Sequence, residues 1–285
     1  MKKLIAMLLV AVMALALFAG CAGNNTSTTT AAAADTTAAA DETTGTAETT
    51  GAAASFTTIE EGKLIMSTNA AFPPYEMTDD DGNFIGIDVE VAQAIATKLG
   101  LELVIDNMEF SAALEAAQQG KSDMVMAGVT VNEDRLAVMD FSDSYATGIQ
   151  VVIVKEGSDV TMDNLGEKMI GTQMGTTGYI YASDTVENGG YGEDHVIAYD
   201  NGITAVQALM NDQIDAVIID NAPAQAFVDA NPGLTLLDGE WALENYAIGF
   251  TKGNTALVNA VNTALGELIA DGTVQTIVDK YIPAE

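Results

Sequence analysis

From residue 63 onward, short apolar runs alternate with stretches in which apolar residues recur at helical spacing. In residues 87–99, for example, Ile87, Val91, Ile95 and Leu99 share one helical face, and Gly100 is a natural stop. The pattern predicts strands over 63–68, 101–105, 123–128, 168–172, 196–199, 216–220 and 247–251. It predicts helices over 87–99, 112–119, 177–185, 203–210, 222–230, 255–270 and 274–280.

This alternation of strands and helices predicts an α/β fold whose sheets are mostly parallel. It occurs once before and once after the apolar run 149–154, so we expect two α/β units. Ligands of such sheets bind at the carboxyl ends of the strands. Asn69, Phe72, Phe110 and Thr130 lie just past predicted strand ends and can therefore converge on one crevice.

Residues 78–83 contain three consecutive aspartates before Gly82 and at first sight suggest a calcium loop. Placing Gly82 at the sixth loop position would put Met77 at the first, where a ligating oxygen is required. A hairpin turn is the better interpretation of this segment.

The first 21 residues are typical of an export signal. Lys2 and Lys3 precede an apolar run over 4–18 that is too short to span a bilayer. Ala19 and Gly20 then precede Cys21, the only cysteine. This sequence resembles a bacterial lipobox, except that Phe18 stands where a small or aliphatic residue is usual. The resemblance implies that residues 1–21 are a lipoprotein signal and that Cys21 carries the lipid. An ordinary signal peptide with an incidental cysteine is the alternative.

Residues 22–56 consist mainly of Ala and Thr. Such a segment has too little apolar bulk to offset its ordering entropy, so we predict a disordered tether. By random-coil scaling it spans about 30 Å, enough to hold a folded domain away from a lipid anchor.

The chain is strongly acidic, with a net charge of −31 at pH 7. This charge argues against nucleic acid or an anionic membrane surface as a partner. Arg135 is the only arginine among ten basic residues. A guanidinium can bind a carboxylate through two parallel hydrogen bonds, which lysine cannot do. Alternatively, Arg135 forms a surface ion pair with Glu133 or Asp134.

Residue types required for catalysis are scarce. His195 is the only histidine and lies in a polar, glycine-rich loop, where we expect it to be exposed, so a Ser-His-Asp triad is implausible. One cysteine and one histidine cannot build a zinc site. The glycine-rich residues 175–178 lack the lysine of a phosphate-binding loop. The sequence therefore predicts no catalytic residues, no metal and no cofactor.

A binding site for an α-amino acid has more support. Such a ligand needs a fork for its carboxylate, an acid for its ammonium group and apolar walls. Arg135 supplies the fork, and Asp220 ends an apolar strand, where a carboxylate is costly unless it caps a helix or meets a cation. Phe72 and Phe110 are candidate walls, although an aromatic residue more often belongs to the core.

Five motifs carry a resemblance to a known family, in the same order and with the same spacing. They occupy residues 86–92, 127–135, 140–145, 175–177 and 215–220. Over residues 57–283 the chain resembles the family 3 extracellular solute-binding proteins of amino-acid ABC importers. The resemblance implies a two-lobed type II periplasmic-binding fold, with lobe 1 at 57–148 and 246–285, lobe 2 at 149–245, and a two-strand hinge near 147–151 and 244–247.

The resemblance also implies residue roles. Arg135 would hold the ligand carboxylate with Thr130 and the main chain at Gly128, and Asp220 would bind the ammonium group. Phe72 and Phe110 would sandwich the ligand, and the residues facing its side chain or carboxylate would be Asn69, Gln173, Thr176 and Thr177. The chain departs from the family pattern at Asn132, where Thr is usual, and at Asn69, where receptors for cationic amino acids tend to have Asp. The second departure favours a neutral polar ligand such as glutamine.

The implied protein is a monomeric, lipid-anchored receptor on the outer face of the bacterial cytoplasmic membrane. Closure of its lobes around one amino acid would create the form that the ABC permease recognises. Two alternatives stay open: an extracytoplasmic enzyme on the same fold, such as a dehydratase, and a receptor for a sensor or chemotaxis protein.

Overall fold

The computed structural model describes residues 56–239 and 242–283, which all belong to one unit of the chain, Gly51–Glu285. The predicted signal peptide, the lipidation site Cys21 and nearly all of the predicted tether lie outside the described residues. None of the described helices has the length and apolar character needed to cross a membrane.

The described part of the chain forms eleven strands and eight α-helices. The strands are β1 (Lys63–Thr68), β2 (Met77–Thr78), β3 (Phe84–Ile85), β4 (Glu102–Asn107), β5 (Met124–Val125), β6 (Met139–Lys155), β7 (Ile170–Gln173), β8 (Val196–Tyr199), β9 (Ala216–Asp220), β10 (Leu234–Leu236) and β11 (Ala242–Thr251). The helices are α1 (Ile87–Leu99), α2 (Phe110–Gln118), α3 (Glu133–Val138), α4 (Thr177–Ser183), α5 (Gly202–Met210), α6 (Asn221–Ala230), α7 (Thr255–Ala270) and α8 (Thr273–Tyr281).

Nine strands form a single sheet in the order β4-β1-β5-β11-β6-β9-β7-β8, with β10 beside β6. The outer strands pair in parallel, as predicted for each α/β unit, with β1 between β4 and β5 and β7 between β8 and β9. The central pairs β5-β11, β11-β6 and β6-β9 are antiparallel. The two α/β units therefore share one sheet instead of forming two separate sheets.

The long strands β6 and β11 join the two units. The sequence pattern indicated only residues 149–154 and 247–251 here, but β6 runs for 17 residues and β11 for ten. They pair antiparallel from Ala242 opposite Gln150 to Thr251 opposite Met139, with irregular register near Ala247. Polar residues in the middle of both strands hid their continuity from an analysis based on apolar runs.

Helices cover the sheet in two groups. Helices α1, α7 and α8 pack against one another on the first unit, while α5 and α6 pack on the strands of the second. Ile87, Val91 and Ile95 of α1 and Leu257 and Val261 of α7 are all fully buried. These residues follow the helical spacing of the sequence, which explains why the predicted bounds of α1 and α7 agree with the structure.

Other predicted bounds are less accurate. The segment 123–128 is a strand only at Met124–Val125, and α2 begins two residues earlier than predicted, at Phe110. The hairpin over 78–83 is confirmed, because β2 and β3 pair antiparallel on either side of the aspartates. The early start of α2 matters for function, since it moves Phe110 from a loop to the first turn of a helix.

Candidate functional site

A cavity between the two α/β units brings together all ten residues that the sequence predicted for ligand binding. Its empty volume, including space open to solvent, is about 310 Å³. The lining residues are Asn69, Phe72, Glu76, Phe110, Ala127, Gly128, Thr130, Arg135, Gln173, Thr176, Thr177 and Asp220. Glu76 and Ala127 are additions that sequence reasoning missed.

Helix α3 positions Arg135 in its first turn. The side chain of Asn132 caps this helix by accepting a hydrogen bond of 2.9 Å from the Arg135 backbone N–H. Asn and Thr are both effective N-cap residues. Asn132 stands where Thr is usual in the family, but it still caps helix α3, which orients Arg135.

The Arg135 side chain is buried, with 7% of the residue exposed. Its Nη1 donates to the Thr130 carbonyl at 2.7 Å and its Nη2 to the Gly175 carbonyl at 3.1 Å. The guanidinium carbon also lies 5.5 Å from the centre of the Phe110 ring, within range of a cation–π contact. The alternative of a surface ion pair with an adjacent acid is therefore wrong.

Two glycines allow the backbone to approach the cavity closely. Gly128 has φ of 52°, and a Cβ there would lie 2.7 Å from Cε1 of Phe72. Gly175 has φ of 77°, and a Cβ there would lie 2.6 Å from Oγ of Ser111 in the other unit. Both positions combine a left-handed backbone with no room for a side chain, so only glycine fits.

Asp220 ends β9 and enters the cavity from the second unit. It occupies the N-cap position of α6, but its side chain makes no capping hydrogen bond. Instead its carboxyl group accepts a hydrogen bond from the Tyr246 hydroxyl. Burial, and then repulsion by Glu244, raise the pKa of Asp220 to about 8. The helix-cap alternative is therefore wrong, and the carboxyl group is available for a cation.

Buried groups from the long strands support Asp220. Glu244 of β11 accepts hydrogen bonds from Thr130 Oγ1 at 2.9 Å and from Gln150 Nε2 at 3.1 Å. Gly148 leaves room for the Tyr246 hydroxyl, since a Cβ at this position would clash with it. Sequence reasoning missed Gln150, Glu244 and Tyr246. The available signal was the presence of polar residues inside strands that are otherwise apolar.

Phe72 and Phe110 line the cavity and are nearly buried, at 7% and 6% exposure. Phe72 stacks on Tyr75 with ring centres 5.8 Å apart, and Tyr75 meets Tyr246 edge to face at 5.2 Å. This aromatic chain extends from the cavity wall to the partner of Asp220. Its packing fixes the ring of Phe72 in place.

Polar side chains meet at another part of the cavity wall. Gln173 Nε2 donates to Asn69 Oδ1 at 3.0 Å across the two units, and Asn69 Nδ2 donates to the Met108 carbonyl at 2.9 Å. Thr176 caps α4 by accepting a bond of 3.2 Å from the Tyr179 N–H. Thr177 follows it in the first turn of α4, where its backbone N–H lies in the positive end of the helix.

His195 is half-buried, not exposed as predicted, and its Nδ1 lies 3.3 Å from the Lys168 carbonyl. It is not among the residues that line the cavity. Those twelve residues combine one cation, two acids, five neutral polar side chains and two phenylalanines. Their chemistry is suited to holding a charged polar molecule.

Residues 64–284 match the family model of the bacterial extracellular solute-binding proteins, family 3. The L-cystine-binding protein TcyJ of Escherichia coli (strain K12) is 31% identical over 230 residues, covering 79% of this chain and 85% of that protein. The arginine-binding extracellular protein ArtP of Bacillus subtilis (strain 168) is 30% identical over 228 residues, covering 78% of this chain and 87% of that protein.

Solved structures show the same architecture. An ancestral arginine-binding protein bound to glutamine has a TM-score of 0.73 and 36% sequence identity, with coverage of 79% of this chain and 100% of that chain. The predicted two-lobed type II periplasmic-binding fold is therefore confirmed.

The raised pKa of Asp220 predicts how the ligand-free protein responds to pH. The folded state keeps a proton that the unfolded chain releases near the ordinary carboxyl pKa of about 4. The stabilisation of the folded state by this retained proton is complete below the carboxyl pKa of the unfolded chain and is lost as the pH rises through about 8. We expect the melting temperature to fall between pH 5 and pH 8, and to fall less in Asp220→Asn.

Asp80→Asn, at an exposed position, controls for loss of one acid. An equal fall in the wild type and Asp220→Asn would contradict this assignment.

Proposed function

Since the chain belongs to the bacterial extracellular solute-binding proteins, family 3, we propose that it is an extracytoplasmic receptor that delivers one amino acid to an ABC importer. The observation that carries this proposal is the pairing of Arg135 and Asp220 in one small cavity. A zwitterionic amino acid carries the two opposite charges that this pair would bind. The receptor has no catalytic role in this proposal.

The proposed pose follows from the existing contacts. The ligand carboxylate would take the Arg135 guanidinium, with Thr130 and the main chain at Gly128 nearby, while Thr176 and Thr177 offer the start of α4. The ligand ammonium group would meet Asp220, whose proton would then leave because the cation favours the carboxylate. Phe72 and Phe110 would enclose the apolar part of the ligand.

Ligand binding would also hold the lobes together. Arg135 to Gly175 and Gln173 to Asn69 are direct hydrogen bonds between the units. In our proposal lobe 1 comprises residues 57–148 and 246–285, lobe 2 comprises 149–245, and the hinge lies near 147–151 and 244–247. Only a closed arrangement engages both ends of the ligand, so ligand shifts the population toward closure. The closed monomer is the form that the permease would recognise.

We propose a neutral polar ligand resembling glutamine. Asn69 offers an amide where a receptor for a cation would gain from a carboxylate, and it pairs with a second amide, Gln173. The ancestral arginine-binding protein bound to glutamine supports the idea that glutamine suits this architecture. Arginine is the competing ligand to test, because ArtP of Bacillus subtilis is named as an arginine-binding protein.

A thermal-shift screen of the twenty amino acids and cystine tests the ligand class. We expect glutamine to give the largest rise in melting temperature, because a ligand that binds only the folded state stabilises it by mass action. A larger rise with arginine would contradict the neutral ligand while leaving the receptor proposal intact. The absence of a shift with every amino acid would count against the receptor proposal itself.

Arg135→Ala is expected to abolish binding of the ligand that the screen identifies. Leaving a ligand carboxylate unpaired in a closed site costs about 2–5 kcal/mol or more, which corresponds to at least a 30-fold loss of affinity. Isothermal titration calorimetry measures this loss, and Lys121→Ala, which removes an exposed cation, is the matched control. Near wild-type affinity in Arg135→Ala would rule out the proposed role of the guanidinium.

We also propose that Cys21 carries a lipid that anchors the receptor to the outer face of the cytoplasmic membrane. The support is the export signal and the lipobox-like residues before Cys21. Cells supplied with labelled fatty acid should label the wild-type protein and not Cys21→Ser, and only the wild type should fractionate with membranes. Equal labelling of both proteins would show that another residue carries the lipid. Absence of label from both proteins would show that no residue is lipidated.

A further inference from the structure

The orientation of two side-chain amides in the cavity determines which hydrogen bonds they leave for a ligand. Asn69 follows β1 and Gln173 ends β7, and these residues are only 6% and 5% exposed. Both line the cavity. A side-chain amide has an acceptor oxygen on one side and a donor nitrogen on the other, so its orientation sets the polarity of the cavity wall.

Two backbone carbonyls fix the orientation of both amides. Asn69 Nδ2 donates to the Met108 carbonyl at 2.9 Å, and Asn69 Oδ1 accepts from Gln173 Nε2 at 3.0 Å. Gln173 Nε2 also donates to the Asp200 carbonyl at 3.3 Å. Turning either amide over would place oxygen against oxygen, so the hydrogen-bond network allows one assignment of the two ends.

This network uses both N–H groups of Gln173 and leaves its side-chain oxygen. Gln173 Oε1 accepts no hydrogen bond from the described part of the chain, yet it is not among the polar atoms that are fully enclosed without a partner. It therefore touches open space. Because Gln173 is buried and lines the cavity, that space is the cavity. A ligand that covers this oxygen without donating to it would leave a buried acceptor unpaired, at a cost of about 1–3 kcal/mol.

The groups left by Gln173 and Asn69 are complementary to a primary amide. Gln173 Oε1 requires a donor, and the second N–H of Asn69, which has no acceptor among the described residues, requires an acceptor. A primary amide supplies both. A carboxylate has no donor and would set a charged oxygen against Gln173 Oε1, whereas an ammonium or guanidinium group has no acceptor for Asn69.

We propose that Gln173 Oε1 accepts a hydrogen bond from the side chain of the bound amino acid and thereby selects a primary amide. This inference rests on the proposed receptor function and deepens it, because it names the atom that distinguishes glutamine from ligands of the same shape. A site with a buried polar group rejects an analogue that cannot pair with that group far more strongly than an apolar pocket rejects a change of shape.

Calorimetric titration with three ligands of similar size tests the proposal. The ligands are glutamine, glutamate and the methyl ketone in which a methyl group replaces the side-chain NH₂ of glutamine. The ketone keeps the carbonyl but has no donor, so the wild type should bind both it and glutamate about 10- to 100-fold more weakly than glutamine.

Two variants assign this preference to Gln173. Gln173→Met has similar size and no acceptor oxygen, so glutamine should lose most of its advantage over the ketone. Gln207→Met makes the same change at an exposed position on α5 and should keep the wild-type preference. Comparing two ligands on two proteins isolates the pairwise contact from a general effect of the substitution on affinity.

Equal affinities of the wild type for glutamine and the ketone would overturn the proposal, and this comparison holds even if Gln173→Met does not fold. An undiminished preference for glutamine in a folded Gln173→Met would also overturn it. Binding of another amino acid but not of glutamine would overturn the inference and leave the receptor function intact. Failure of the wild type to bind any amino acid would instead refute the receptor function on which the inference rests.

Discussion

The centre of this structure must accommodate more buried acid than buried base. Glu76, Asp88, Asp220 and Glu244 are all nearly inaccessible to solvent. Of these acids, Glu76 and Asp220 line the cavity, together with the cation Arg135. Four ionised carboxylates could not be buried together at acceptable cost. Retained protons and hydrogen bonds resolve the conflict, and the pKa values of Asp88 and Asp220 rise to about 6 and about 8 as a result.

The strands that connect the lobes also support the site. β6 and β11 carry Gln150, Glu244 and Tyr246. Glu244 accepts hydrogen bonds from Thr130 and Gln150, and Tyr246 donates one to Asp220. A change in the crossing of these strands would shift the carboxyl group of Asp220 relative to Arg135. The acid–base geometry of the cavity and the relative position of the lobes are therefore mechanically coupled.

Affinity and selectivity would come from different parts of the cavity. In the proposed pose, Arg135 and Asp220 would bind groups that every α-amino acid carries, and would supply affinity without distinguishing one amino acid from another. Asn69 and Gln173 would face the remaining space with polar groups that can distinguish side chains. The names of family members state cystine, arginine and histidine as ligands. One fold that serves several ligands needs such a division between affinity and selectivity.

The sequence by itself determined the α/β architecture, the helix α1 with its apolar face, and ten of the twelve residues that line one cavity. These features are visible because helical and strand periodicity are local, and because five motifs together identify a family. Only the tertiary structure decided the protonation and partners of Asp220, since Tyr246 and Glu244 come from a strand that begins more than twenty residues later. It likewise decided that Glu76 is fully buried. Burial and hydrogen-bond partners depend on which distant segments meet, and this long-range pairing leaves no local periodic signal.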